Sequence, residues 1–241
     1  MVNIDPNTTL AQLVIENPAL AAPMEKLGFD YCCGGQIPLN EAVLEAGLDI
    51  DDVISNFENA TEDKADLDWA KMNIGQLVDN ILSVHHEYLH EELPRLCDLA
   101  DKVASVHGSN HPELLDVAKL VYELRDDMEP HMRKEEMILF PLARQISTLE
   151  SLPALPFGTF ANPIRMMGAE HEVTGALLLE LRKTTNNFAL PKDACASYQA
   201  LYQGLEAVEI DTHLHIHREN NILFPATLAK EQELSEPNKI S

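Results

Sequence analysis

The residues best suited to chemistry sit in two stretches 84 positions apart. HMRKEEMILFP spans 131–141 and HIHRENNILFP spans 215–225, with six of eleven positions identical. In each, a histidine and a glutamate four positions later share one helix face: His131 with Glu135, and His215 with Glu219. A second echo precedes each stretch. HHE places His86 45 residues before His131, and EHE places His171 44 before His215. The chain therefore reads as two copies of a helix pair, each with His on its first helix and His-x-x-x-Glu on its second. Four inward imidazoles and two inward carboxylates are too polar for a bundle core unless something pairs them. Two metal ions, with each Glu free to bridge, would do so. A mixed nitrogen and oxygen set suits iron or manganese better than a thiolate-seeking metal.

The other histidines separate from this set by phase and by repeat. At about 100° per residue, His215 shares its face with Val208, Glu219 and Ile222, whereas His213 and His217 fall opposite, toward solvent. His85 and His86 flank the stripe of Leu82, Leu89, Leu93 and Leu96 equally; only the repeat selects His86. His90 aligns with Gly175 and is expected to be exposed. His107 and His111 lie at an interhelix turn without a clear signal, and Cys97 and Cys195 read as small packing residues.

A different chemistry is carried by FDYCCGG, residues 29–35. Adjacent Cα atoms lie about 3.8 Å apart, short of the ~4.4–6.8 Å that disulfides prefer, so Cys32 and Cys33 are read as free thiols. They would attack an external disulfide, or bind a metal or cluster jointly with a partner. Gly34 and Gly35 leave the sulfurs uncrowded and permit positive φ.

The elements that must position these groups are helices. The chain is rich in Ala, Leu, Glu, Lys and Met, with few β-branched runs, and reads as all-α. Residues 1–57 form a small helical unit: Thr9 with Gln12 suits a capping box, Pro18 interrupts, Asn40 is placed to cap EAVLEA, and Gly47 to close it. The acidic stretch 58–70 reads as a linker. Residues 71–241 hold four long helical patterns, from about Ile74 to Val106, Pro112 to Arg144, Pro163 to Thr184 and Asp193 to Ala229, a four-helix bundle. Pro130 is expected to kink the second.

Composition narrows the setting. Asp and Glu number 40 against 17 Lys and Arg, a net charge of −23 that repels nucleic acid and anionic membrane surfaces. No apolar run approaches the ~18 residues of a membrane span. MVNIDPNTTL has neither the basic nor the apolar region of an export signal, and four cysteines in 241 residues are no disulfide scaffold; a reducing, cytoplasmic setting is expected.

Taken together, FDYCCGG, HHEYLHEELP, HMRKEEMILFP, AEHEVTGALL and HRENNILFP resemble the bacterial iron–sulfur cluster repair di-iron (RIC) family over nearly the whole chain. The resemblance implies a small cysteine-pair domain followed by a hemerythrin-like four-helix bundle. It implies a non-haem di-iron centre, oxo- and carboxylate-bridged, held by the equivalents of His86, His131, Glu135, His171, His215 and Glu219. It further implies release of iron from a labile site to clusters damaged by nitric oxide or peroxide. Damaged iron–sulfur proteins would be the clients, nitric oxide or oxygen the small ligands, and Cys32 and Cys33 the groups that receive iron or exchange thiols; a homodimer is compatible. Two other readings compete. A di-iron nitric oxide or peroxide reductase would turn over with an electron donor. An oxygen or nitric oxide binding or sensing module would bind reversibly without iron loss.

Overall fold

The computed structural model describes residues 4–60 and 69–235, and every regular element among them is helical apart from one isolated bridge, Thr9 to Pro38. Four short helices make the N-terminal unit: α1 Leu10–Glu16, α2 Ala21–Leu27, α3 Leu39–Glu45 and α4 Ile50–Ala60. Thr9 Oγ1 accepts from the Gln12 amide at 3.2 Å, but the Gln12 side chain donates to Glu16, so the expected capping box closes on one side only. Asn40 lies inside the first turn of α3, which begins after Pro38, and does not cap it. Gly47, at φ +67°, closes α3 as expected. Residues 58–60 of the acidic stretch are still helical, and residues 61–68 lie outside those described.

The bundle is built from four composite helices. The first joins α5 Ile74–Ile81 to α6 Glu87–His107 through a π turn, Leu82–His86. The second joins α7 Glu113–Lys134 to α8 Phe140–Ile146 through a π turn, Glu135–Leu139. The third, α9 Ala161–Thr184, is uninterrupted. The fourth joins α10 Ala196–Arg218 to α11 Phe224–Ser235 through a π turn, Glu219–Leu223. Asn73 and Gln76 form a reciprocal capping box at the start of α5. Pro130 does not break its helix: α7 continues to Lys134, and the departure from α geometry comes at Glu135. Packing of α7 against both α6 and α9 outweighs the one backbone bond a proline removes.

Each π turn adds one residue to the helix and rotates everything after it. The sequence places Ile222 inward with His215; instead Leu223 and Phe224 are buried and Ile222 is only half-buried. The first copy repeats this, with Ile138 exposed and Leu139 and Phe140 buried. Both His85 and His86, which flank the leucine stripe, are buried at the turn Leu82–His86.

The helices pack in the cyclic order α6, α7, α9, α10, which sets α6 diagonal to α9 and α7 diagonal to α10. At the end far from the π turns the centre is apolar, with Leu89, Leu96, Val117, Val121, Leu178 and Leu205 buried at about 1.5–3 kcal/mol each. Beside the π turns a second apolar cluster includes Ile81, Phe140, Phe160 and Phe224. The core of the N-terminal unit is continuous with α10 through Ile216. Trp69 is buried there, with the Arg218 guanidinium 4.1 Å above its ring. Among the described residues no helix is long and apolar enough to cross a membrane.

Candidate metal centre

The six repeated residues meet in the bundle interior between the two apolar clusters. His86 ends the first π turn, Glu135 and Glu219 open the other two, His131 and His215 lie in the last turns of α7 and α10, and His171 lies within α9. All six are at most 1% exposed. They fall into two sets that share both carboxylates: His86, His215, Glu135 and Glu219, and His131, His171, Glu135 and Glu219. Within each set the imidazoles point Nε2 at Nε2, at 3.2 Å for His86 and His215 and 3.1 Å for His131 and His171.

This arrangement is unfavourable without a cation. Two nitrogen lone pairs cannot face each other at such distances unless a proton or metal lies between them, and the spacing suits neighbouring ligands about 2.1 Å from one ion. Both oxygens of Glu135, and Oε2 of Glu219, are buried without a hydrogen bond. Imidazole nitrogens lie 3.4–3.5 Å from Glu135 Oε2 and 3.1 Å from Glu219 Oε2, near enough for attraction but without hydrogen-bond geometry. Burial, and then Glu219, raise the Glu135 pKa. Against the same burial, His215 and His171 hold Glu219 well below the carboxylate range. Burial lowers His215 to about 3, leaving it neutral and ready to donate a lone pair. Orphaned carboxylate oxygens among convergent imidazoles would fit two ions, with Glu135 and Glu219 common to both sets.

Residues behind these ligands orient them, and the sequence reading did not single them out. His86 Nδ1 meets Glu136 at 2.9 Å, His131 Nδ1 meets Glu170 at 2.9 Å, and His171 Nδ1 meets Asn220 at 3.0 Å. His215 Nδ1 has no partner. The repeat contains this pattern, since Glu136 aligns with Asn220, and Glu170 with His85. His85 is buried and does not join either set. Its ring stacks on His215 at 5.4 Å, while Nδ1 meets Asp211 at 2.8 Å and Nε2 faces Arg218. Between His85 and His86, tertiary packing thus brings only His86 to the cluster.

Two histidines expected in water are covered instead, His217 fully and His213 in part. His217 is fully enclosed between the rings of Tyr31 and Trp69, with Nδ1 3.1 Å from the Tyr31 carbonyl. Burial drops its pKa to about 4, so it is neutral. His213 pairs with Glu25 at 2.8 Å, and this partner raises its pKa against the effect of burial. Helix phase placed both opposite the metal face correctly, but the N-terminal unit covers that side. His90 is exposed as expected and reaches Glu136 at 2.9 Å.

The cysteine turn docks directly on the last π turn. Asn220 and Asn221 donate to the Cys32 carbonyl at 3.3 and 3.1 Å, so Asn220 touches both His171 and the thiol turn. Cys32 and Cys33 are free thiols, with sulfurs 3.7 Å apart. Gly34 and Gly35 do not adopt positive φ. A Cβ on Gly35 would lie 2.3 Å from the Tyr31 carbonyl and 2.8 Å from Ala11, so close approach requires this glycine. Cys97 is buried in the core as expected. Cys195 is exposed rather than packed, 3.2 Å from His107, because α10 starts at Ala196 and leaves it on the preceding loop.

Two family comparisons agree with this geometry. The Hemerythrin HHE cation binding domain matches residues 77–227, and ScdA_N, a domain of unknown function, matches residues 6–61. The chain is 35% identical over 222 residues to the iron-sulfur cluster repair protein YtfE of Enterobacter sp. (strain 638), covering 92% of this chain and 97% of that one. It is 33% identical, with the same coverage, to the YtfE proteins of Escherichia coli O81 (strain ED1a) and Escherichia coli O1:K1 / APEC. An HHE bundle with paired His/Glu sets, an ScdA-type N-terminal region and full-length similarity lead to one conclusion: the chain belongs to the YtfE/RIC family of hemerythrin-like iron–sulfur cluster repair proteins.

Proposed function

We propose that this protein repairs iron–sulfur clusters damaged by nitrosative or oxidative stress, supplying iron from a labile di-iron centre to damaged client proteins in the cytoplasm. The observation that carries the reading is a pair of buried carboxylates with three orphaned oxygens among four convergent imidazoles, linked through Asn220 to the free-thiol turn. In this reading His86 and His215 would hold one ion and His131 and His171 the other, with Glu135 and Glu219 available to both. The bound ions supply Lewis acidity, redox capacity and transferable iron.

The chain's own residues do the rest. Glu136, Glu170 and Asn220 fix three rings so that their Nε2 lone pairs face inward. The apolar clusters on either side exclude water from the carboxylates. Protonation of a shared carboxylate would weaken its hold on an ion, so metal retention would depend on pH. Cys32 and Cys33 receive iron or exchange thiols with the client. Residues 1–57 act as the thiol unit, 58–70 as a linker and 71–241 as the di-iron bundle.

Metal content and spectroscopy of the parent beside Glu135→Ala and Glu219→Ala test the ligand set. Both variants should lose most of the bound iron; two ions per chain in both would refute the assignment. For the thiols, recovery of a nitric-oxide-damaged iron–sulfur enzyme is measured with a Cys32→Ser/Cys33→Ser variant. Recovery equal to the parent's would remove the cysteines from the mechanism.

A further inference from the structure

We propose that Asp30, Cys32 and Cys33 form a third metal site, separate from the His/Glu centre, for a thiolate-binding divalent cation such as ferrous iron or zinc. Three ligand atoms from these residues lie within 4.8 Å of one another. The two sulfurs are 3.7 Å apart, and Cys32 Sγ is 3.3 Å from Asp30 Oδ1. In a tetrahedral site with metal–sulfur bonds of about 2.3 Å, two sulfurs are separated by roughly 3.8 Å, and a sulfur and a carboxylate oxygen by roughly 3.5 Å. Two of the three edges that join these ligand atoms are therefore within a few tenths of an ångström of tetrahedral spacing, and the third is no longer than 4.8 Å. A disulfide is far from formed, because its sulfurs would need to approach to about 2.05 Å.

The turn is also rigid. Asp30 Oδ1 accepts from the Cys32 and Cys33 amides at 3.0 and 2.9 Å, and Oδ2 accepts from Gly34 at 2.8 Å. A carboxylate has about four lone-pair positions: Oδ1, which the Cys32 thiol also contacts, already accepts two amides, while Oδ2 accepts one and keeps one position open. A cation would take that position as the thiols release their protons to solvent. The two thiols are already unequal: their mutual hydrogen bond lowers Cys33, the acceptor, and raises Cys32.

The fourth corner has somewhere to open. Asp30, Cys32 and Cys33 line a cavity of about 370 Å³ between the N-terminal unit and α9 and α10. Its wall also carries Glu25, Glu172 and Glu209, against His213 and Arg182. That excess of carboxylates favours a cation and disfavours an anionic thiol such as glutathione. Water, or a thiolate offered by a client, would complete the coordination. A role in passing on ferrous iron rests on the proposed repair function; the existence of the site does not.

Cobalt(II) is the probe, added without oxygen to holoprotein whose His/Glu centre is already filled with iron. One further cobalt per chain should bind, with thiolate-to-metal charge-transfer absorption and the intense visible bands of tetrahedral cobalt. Cys33→Ser should abolish the charge-transfer band, and Asp30→Asn should weaken binding tenfold or more, with the iron absorption retained in both. Cys195→Ser should leave the band unchanged. In the parent protein, one equivalent of zinc should slow alkylation of Cys33 tenfold or more while leaving Cys195 reactive, a measurement that needs no variant. The site is overturned if the holoprotein acquires no thiolate-bound cobalt, if the band survives in Cys32→Ser/Cys33→Ser, or if zinc fails to protect Cys33. These outcomes are read without any repair assay, so failure of the repair function would leave them standing.

Discussion

The two copies of the helix pair supply equivalent ligands but unequal support. His86 in the first copy leans on a carboxylate, Glu136, whereas its counterpart His171 leans on a neutral amide, Asn220. His131 is backed by Glu170, whereas His215 has no Nδ1 partner, because the residue equivalent to Glu170 is His85, which stacks instead of bonding. Each set therefore has one imidazole whose Nδ1 meets a carboxylate and one whose Nδ1 does not. The two weaker supports belong to His171 and His215, both contributed by the second copy. Asn220 differs from Glu136 in a second way: it also holds the cysteine turn. Duplication conserved what binds; the residues behind the ligands diverged, and with them the link to the N-terminal unit.

Three measurements would break or sharpen that contrast. The largest effect is expected from Glu136→Ala, which removes the carboxylate behind His86 and should weaken metal retention by about 10–100-fold in a chelator competition. A change below twofold would mean that this support is dispensable. Asn220→Ala should cost less metal affinity, roughly threefold to tenfold, because a neutral partner polarises the imidazole less. It should also speed alkylation of Cys33 by freeing the turn. Equal losses in the two variants would erase the proposed difference between the copies.

The smallest effect concerns the distal end, where the copies are joined by His111 from the first and Asp193 from the second, 3.1 Å apart. The bond to Asp193 raises His111 above 6.5 and, reciprocally, lowers Asp193 below 3.8. The pair's stabilisation is therefore fully present between those ordinary values and is lost as pH rises through the raised His111 pKa. Thermal melting of His111→Asn should fall a few degrees at most below the parent near about pH 5.5 and match it by about pH 9. A gap that widens at high pH would contradict the pairing.

Much of the centre was legible in the residues. His-x-x-x-Glu is a spacing any α-helix converts into a shared face, and the 84-residue echo supplied the partners. The all-α class and the four long segments followed from helix-forming composition and turn residues. Less visible were the π turns, since a helix that gains one residue has no compositional mark. Extrapolating a regular phase past them put Ile222 inward, where Leu223 and Phe224 are found. His213 and His217 failed for another reason: phase reports which way a side chain points, not what later covers it. Cys195 and Asn40 each missed by a residue or two at a helix boundary, where local signals are weakest.

The sequence by itself determined the six converging residues, the free thiol pair and the family, because periodicity and repetition are properties of the chain. Only the tertiary structure decided that His85 is buried beside the cluster without joining it, that Glu136, Glu170 and Asn220 stand behind the ligands, and that the cysteine turn rests on the last π turn. Those contacts join residues as much as 190 positions apart. Their geometry depends on how helices are rotated and packed, which one-dimensional spacing does not encode.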